Sequence, residues 1–368
     1  MRESSSKRHY NEPLARIVKK DAMSNQRMAA YSVFALILAI AAGGVFIFSL
    51  GYNPFKVYAT IVSGAFRSSI STQGTIKIAI PLLIASLGIT HAFKMQFWNI
   101  GAEGQIIMGG IFATYFALFH SDWPHWLLML VMCAAGMLGG GLWALIPAFF
   151  KTKYGTNETL FTLMLNYIAL YMIKYLAEGP WLDPKASGFP KIASFEKNAR
   201  LDEVFGVHAG WIIGLVLVGV VYFYLKYSKQ GYEIAIVGES ENTARYAGMN
   251  VKKIIMRTMF LSGAICGIAG MTQVSGAAYT LSEGVAGGVG FTAIIVAWLA
   301  KLNPFVILLV TIGFSVLEKG SSVMQSSFGL PTSVSDILQG IILFFILGCD
   351  FFTRYKLIFR KGGQKNDN

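Results

Sequence analysis

Three polar side chains, Asn99, Glu103 and Gln105, lie close together in a stretch of sequence that is otherwise apolar. An ionisable side chain inside a membrane is costly, and such a group usually faces a cavity or a solute path. Gly101 and Gly104 interrupt the same stretch, which favours a broken backbone whose free peptide groups could meet a polar solute. Alternatively, Glu103 stabilises the N-terminus of its own helix, where negative charge is favourable. Both interpretations stay open on the residues alone.

A fourth polar residue, Asn166, falls near the middle of the next-but-one apolar stretch, which begins with a helix-start signal at Asn157 and Glu158. An asparagine in the middle of a membrane commonly forms a hydrogen bond between helices. It could instead bind a solute in a central cavity, so Asn166 joins the candidate pathway residues.

The polar stretch at residues 231–257 has the pattern of a docking segment. The stretch is amphipathic, with its apolar and charged residues separated as in a docking helix, and glycine favours chain turns. We expect a short helix from about Asn242 to Ala247, bracketed by turns at Gly238 and Gly248, that docks into a groove of a partner. The alternative is an ordinary interfacial helix lying on lipid headgroups. The candidate coupling residues are Gly238, Asn242, Ala244, Arg245, Ala247 and Gly248.

Motifs for catalysis and metal binding are missing from the sequence. It has no G-x-x-x-x-G-K-[ST] phosphate-binding loop, no H-E-x-x-H, no C-x-x-C and no G-x-S-x-G. We therefore expect no catalytic residue, no metal site and no cofactor in this chain. The three cysteines, Cys133, Cys266 and Cys349, lie in apolar stretches, as buried packing residues do.

The composition indicates an integral membrane protein. Hydrophobic residues make up 54% of the 368 residues and charged residues only 14%, and mean hydropathy is +0.54. Soluble domains carry roughly 25% charged residues, so this chain could not cover a soluble surface. The net charge of +12 comes from basic residues between the apolar stretches. That distribution is typical of cytoplasmic loops and argues against a nucleic-acid partner.

The apolar stretches predict an all-α, polytopic transmembrane helical bundle of about ten spans. Those near 286–300 and 304–319 are short, so broken or re-entrant helices are expected there. Glycines four residues apart, at Gly136/Gly140 and Gly263/Gly267, predict close helix packing. The predicted spans are 28–50, 75–93, 98–119, 124–150, 157–177, 209–227, 258–278, 286–300, 304–319 and 333–349.

Lysine and arginine placement predicts the orientation, because cytoplasmic segments are enriched in both. The basic tails, residues 1–27 and 350–368, are expected in the cytoplasm, on either side of a transmembrane domain at 28–349. The loop at 228–257 is also expected inside. The mixed-charge loop at 179–208 is expected outside.

Four segments resemble the permease family of ATP-binding-cassette (ABC) importers that includes branched-chain amino acid, ribose-type sugar and nucleoside permeases. Residues 162–168 and 179–181, with Pro184 and Pro190, are most similar to the nucleoside branch. The segments that carry the family resemblance are 99–105, 238–248, 261–264 and 291–304.

The resemblance implies a subunit in a bacterial plasma membrane that imports nucleosides by alternating access. Within that class, purine nucleosides are the expected solutes. It also implies partners: cassette ATPase subunits that carry ATP and Mg²⁺, a second related permease and an extracytoplasmic substrate-binding lipoprotein. Sugars or branched-chain amino acids are the alternative solutes. A stand-alone secondary transporter or channel would instead need intramembrane charge relays and repeated halves. Glu103 is one isolated candidate for such a relay.

Overall fold

The computed structural model describes residues 15–19, 25–186 and 188–359. Much of the predicted basic tails, at 1–14, 20–24 and 360–368, therefore lies outside the described residues. The α-helices of the described part are α1 Asn25–Ser49, α2 Pro54–Phe66, α3 Ser69–Lys94, α4 Ala102–Phe119, α5 His125–Tyr154, α6 Glu158–Glu178, α7 Gly210–Tyr227, α8 Lys229–Glu239, α9 Glu241–Tyr246, α10 Val251–Thr272, α11 Val289–Leu299, α12 Pro304–Phe328 and α13 Ser333–Arg354.

The chain divides into two compact units. Of the described residues, the smaller comprises those up to 55 and from 336 onward, and the larger comprises those between 56 and 335. In the smaller unit, strands β1 (Ala15–Lys19) and β4 (Tyr355–Phe359) pair antiparallel. In the larger unit, β2 (Glu203–Val204) and β3 (Val207–His208) form a short hairpin. The candidate site lies entirely in the larger unit.

Seven of the described helices are long and apolar enough to cross a membrane, namely α3 to α7, α12, and α10 with the π-helix Gln273–Ala278 that continues it. Val33–Ser49 and Pro54–Phe66 pass the same test only together, as an eighth candidate. The predicted all-α polytopic bundle is confirmed, whereas the count of about ten spans stays a prediction. The predicted 286–300 span contains α11, whose 11 residues reach about 16 Å, half of a hydrocarbon core. The predicted 304–319 span is longer than expected, since α12 has 25 residues.

Helix α10 is the centre of the larger unit and packs against α3, α4 and α5. The glycines four residues apart make the contact between α5 and α10. A Cβ atom built on Gly263 would overlap the carbonyl oxygen of Gly140, and one on Gly267 would overlap that of Gly136. Since burial drives no helix association in lipid, such backbone contact is how small residues stabilise a bundle. The predicted close packing is confirmed.

The loop between α6 and α7 is attached to the end of α10. Leu201 N–H donates to Ser275 O at 3.0 Å, and Phe195 N–H donates to Tyr279 O at 2.7 Å. The Arg200 guanidinium lies 4.8 Å from the centre of the Tyr279 ring. These contacts reach the π-helix and the residue after it. Movement at the end of α10 would therefore displace this loop directly.

Candidate functional site

Asn99 and Gln105 bind one another inside the protein. Helix α3 ends at Lys94 and α4 begins at Ala102, and Asn99 lies in the irregular segment between them. Gln105 Nε2 donates to Asn99 Oδ1 at 3.1 Å, and Asn99 Nδ2 donates to Gln105 Oε1 at 3.3 Å. Asn99 Oδ1 also accepts from the Gly101 amide at 3.0 Å. Both side chains are buried, so the pair stabilises the entry into α4.

Asn166 connects α6 to the same turn. Its Oδ1 accepts from the Gly104 amide and its Nδ2 donates to the Ile100 carbonyl, both at 2.9 Å. Thr162, one helical turn earlier, accepts from the Ile100 amide at 3.2 Å. The first amides of a helix lack partners within it, and here two side chains of α6 supply partners near the start of α4. Asn166 thus makes the hydrogen bonds between segments that its position in the span suggested.

Glu103 binds the N-terminus of α11, in addition to lying at the start of its own helix, α4. Its two carboxylate oxygens accept from the amides of Gly288 and Gly290, each at 2.7 Å. Gly288 is the residue before α11. Negative charge at a helix N-terminus is favourable, and hydrogen bonds from peptide amides to a carboxylate are strong. Glu103 also lies in the first turn of α4, so its charge faces two helix starts.

The structure thus brings all four predicted pathway residues to one region, around the starts of α4 and α11. Their polar groups bind other parts of the same chain, and their place in a solute path stays a prediction. Sequence reasoning missed Thr162, Gly288 and Gly290. Thr162 precedes Asn166 by four residues, which puts both on one helix face and could have drawn attention to it.

The predicted docking segment forms two helices, α8 and α9. The short helix α9 covers Glu241–Tyr246, within one residue of the expected 242–247. Ser240 begins it by accepting from the Thr243 amide at 3.2 Å. Gly248 has φ +76°, the turn geometry expected of it. Gly238 differs from expectation, because it lies inside α8, where a Cβ would overlap the Lys94 carbonyl oxygen.

One face of α9 is free and the other is packed. Asn242, Arg245 and Ala247 are exposed, whereas Ala244 is buried. Arg245 forms an exposed ion pair with Glu241 at 3.3 Å. The other helix of the segment, α8, is joined to α10 by an ion pair between Glu233 and Arg257 at 2.9 Å. A short exposed helix beside the central spanning helix is positioned to contact a partner and to transmit the partner's movement to that helix.

Comparison with known proteins agrees with this architecture. Residues 71–347 match the family described as "Branched-chain amino acid transport system / permease component". The chain is 30% identical to the guanosine ABC transporter permease NupP of Bacillus subtilis, over 85% of this chain and 91% of that one. It is 29% identical to the nucleoside permease NupB of Lactococcus lactis, over 88% and 92% of the two chains. It is also 29% identical to the glucose permease TsgB13 of Haloferax volcanii, over 88% of each.

The family match covers α4 to α12 completely, including the four pathway residues and both helices of the docking segment. The chain therefore belongs to this permease family: it is a multi-pass membrane subunit of an ABC importer, and ATP hydrolysis lies in separate ATPase subunits.

Proposed function

We propose that the chain is a permease that moves nucleosides across the plasma membrane into the cell. Purine nucleosides are the proposed subclass of solute. The observation that carries the proposal is the 30% identity to a guanosine permease over 91% of that protein's length. The similarity to a second nucleoside permease, at 29% over 92% of its length, supports the same solute class. A sugar is the second candidate, because a glucose permease is equally similar in sequence.

The working complex pairs this chain with a second, related permease, two cassette ATPases and an extracytoplasmic binding lipoprotein. Two different guanosine permeases of Bacillus subtilis, NupP and NupQ, are 30% and 27% identical to this chain, which supports pairing of related but different permeases. ATP and Mg²⁺ bind the ATPase partners in this scheme. Both tails and residues 228–257 face the cytoplasm, and residues 179–208 face outside.

The segment from Gly238 to Gly248 is the coupling segment of this proposal. An ATPase groove takes the exposed residues Asn242 and Arg245 of α9 together with Ala247, the residue that follows the helix. The ion pair between Glu233 and Arg257 and the short turn after α9 pass the movement to α10. Since α10 runs through the centre of the larger unit to the loop at 179–208, one helix connects the two faces of the membrane. Nucleotide binding to the ATPases needs to change the free-energy difference between two packings of the larger unit by only a few kcal/mol.

The four polar residues act beside the solute path. Asn99, Gln105 and Asn166 hold the start of α4, and Glu103 holds the start of α11. Amides at both helix starts bind side chains of this chain, Asn166 at α4 and Glu103 at α11, and helix starts of this kind form binding sites in transporters. The arrangement keeps the starts of α4 and α11 in place while the bundle around them changes packing.

Uptake of radiolabelled guanosine tests the solute class. We expect deletion of this permease to abolish guanosine and adenosine uptake that depends on the lipoprotein, and restoration of the gene to recover it. Unlabelled glucose and branched-chain amino acids should not compete. If guanosine uptake survives deletion while glucose import is lost, the chain is a sugar permease and the nucleoside proposal is wrong.

A further inference from the structure

Helix α6 has a packed face and a face that none of the described residues covers. The packed face consists of Thr162, Leu165, Asn166, Ala169 and Ile173. On the other face, Tyr167, Tyr171 and Tyr175 are 55%, 63% and 69% exposed. Residues four apart lie above one another on a helix, so the three phenol rings form one line.

The depth of this line makes it unusual. Tyr167 lies nine residues after the start of α6, about 14 Å along a helix of about 30 Å, and so near the middle of the span. Tyr171 and Tyr175 follow at intervals of about 6 Å toward the 179–208 loop. None of the three hydroxyl groups has a hydrogen bond within the residues that the structure describes. A hydroxyl in hydrocarbon without a partner costs several kcal/mol, which argues against lipid at this face.

Helix α7 provides a comparison within the same chain. Its exposed residues in mid-span are aliphatic, Val216 at 59% and Val220 at 55%. Its exposed tyrosine, Tyr227, is the last residue of the helix. That is the usual place for an aromatic residue at a membrane interface. The exposed face of α6 also carries apolar residues, Met164 at 56% and Ile168 at 53%, but unlike α7 it places tyrosines beside them in mid-span.

We propose that Tyr167, Tyr171 and Tyr175 line the water-filled solute path, and that the base of the transported nucleoside stacks on them in turn. The identity of the solute rests on the proposed function, whereas the placement of the path rests on the tyrosine line. A phenol ring offers a flat apolar face to a base and a hydroxyl group to a ribose or to water. Lys174, between them in sequence, lies 5.6 Å from the Tyr171 ring centre and pairs with Glu283 at 3.3 Å, so the outer part of the line has charged neighbours.

Thiol accessibility tests the placement. In the assembled transporter, Cys133, Cys266 and Cys349 are replaced by alanine, and single cysteines are introduced as Tyr167→Cys and Tyr171→Cys. The matched controls are Val216→Cys and Val220→Cys on α7. A methanethiosulfonate reagent that reacts only in water should modify the α6 cysteines at least about tenfold faster than the controls, because thiolate forms in water and not in lipid. Slow reaction at all four positions would mean that the α6 face meets lipid or another subunit, and the proposal would fall.

Protection separates this proposal from the solute assignment. Guanosine delivered by the lipoprotein should slow modification of Tyr171→Cys. If modification is fast and glucose protects instead of guanosine, the placement of the path is supported and the nucleoside function is wrong.

Transport by ring variants adds a second measurement. Tyr171→Phe keeps the ring and should retain most guanosine uptake, whereas Tyr171→Leu should reduce it about tenfold, in the range of a lost base stack. Phe223→Leu, at an exposed position of α7, is the control and should leave uptake unchanged. Normal uptake by the triple variant Tyr167→Leu, Tyr171→Leu, Tyr175→Leu would overturn the proposal.

Discussion

The backbone amide of Gly290 donates a hydrogen bond of 2.7 Å to the carboxylate of Glu103, 187 positions earlier in the chain. The two backbones are so close that a Cβ atom on Gly290 would overlap the backbone of Glu103. A short helix that cannot cross the membrane by itself is thus held by one acidic side chain and by direct backbone contact. The position of α11 depends on both features, and each can be changed separately.

Replacement of Glu103 by glutamine tests the charge and the second oxygen. Glu103→Gln leaves one acceptor for two amide donors, and its own NH₂ group would face a peptide N–H. Because a lost hydrogen bond to a charged group costs about 1.5–3 kcal/mol, we expect a lower melting temperature in detergent and strongly reduced uptake. Glu178→Gln, at the exposed end of α6, is the control and should behave as wild type. Wild-type stability and uptake of Glu103→Gln would show that α11 does not depend on this carboxylate.

Replacement of Gly290 by alanine tests the backbone contact. The added methyl group meets backbone atoms that cannot rotate away, so Gly290→Ala should destabilise the protein by about 1–3 kcal/mol. Gly313→Ala on α12 is the matched control, since its Cβ would enter open space. That change should be neutral or slightly stabilising, because alanine favours a helix more than glycine. Thermal unfolding of both purified variants measures the difference, and equal melting temperatures would contradict the close contact.

Local sequence patterns predicted the elements of this site but not the partners of its residues. The pattern around Asn99, Glu103 and Gln105 marked a broken entry into α4, and the structure has an irregular segment there. The partner of Glu103 could not be predicted, because Gly288 and Gly290 lie more than 180 residues away and no local rule links them. For the same reason, the pattern could not distinguish a solute ligand from a hydrogen bond between segments at Asn166.

The span count shows a different limit. A threshold of about 20 apolar residues overlooked α2, whose 13 residues include Lys56. The same threshold counted 286–300 as a span, although Gly287 and Gly288 adopt φ +54° and +82° and α11 begins only after them. Apolar composition measures how a segment partitions into lipid, and it does not show where glycines interrupt the helix.

The buried ring of His208 predicts a pH-dependent stability. Neither ring nitrogen has a hydrogen-bond partner among the described residues. Burial, helped by the nearby Lys77 ammonium, lowers the pKa of His208 from 6.5 to about 4, against a smaller opposite effect of Glu203. Between these two pH values the unfolded chain binds a proton that the folded chain does not. Stability should therefore fall as the pH is lowered from 6.5 toward 4, by roughly 2 kcal/mol between pH 7.5 and 5.

Thermal unfolding of His208→Leu in detergent measures this effect. The variant lacks the titrating group, so its melting temperature should fall less than that of the wild type between pH 7.5 and 5. Parallel curves for wild type and His208→Leu would show that His208 does not titrate in this range.

Cysteine labelling in whole cells tests the orientation. Single cysteines are introduced in a cysteine-free background at Ser194, exposed in the 179–208 loop, and at Asn242, exposed on α9. A third is placed at Ser4, in the tail outside the described residues. An impermeant maleimide should modify only Ser194→Cys in intact cells, and all three after permeabilisation, because basic segments stay in the cytoplasm. Modification of Asn242→Cys from outside would reverse the proposed topology.

Substitution of Ala247 by tryptophan tests whether α9 couples transport to ATP hydrolysis. Ala247 is exposed, so a large side chain there should leave the permease folded and inserted while preventing α9 from entering a partner's groove. In reconstituted vesicles containing the whole complex, we expect Ala247→Trp to lose uptake. The ATPase subunits should then either detach or keep a basal rate that solute-loaded lipoprotein no longer stimulates.

Two further variants make this result specific to docking. Ala247→Ser keeps the residue small and should transport normally. Ala244→Trp is a different case, because Ala244 is buried in its own chain, so that overpacking should reduce the yield of folded protein before docking is tested. A folded Ala247→Trp permease with unaltered ATPase binding and uptake would show that α9 lies on the headgroups without a coupling role. A different outcome is that the Ala247→Trp complex assembles fully but loses uptake. Because Glu233 and Arg257 join α8 to α10, that outcome would place the defect in the transfer of movement from the docking segment to α10.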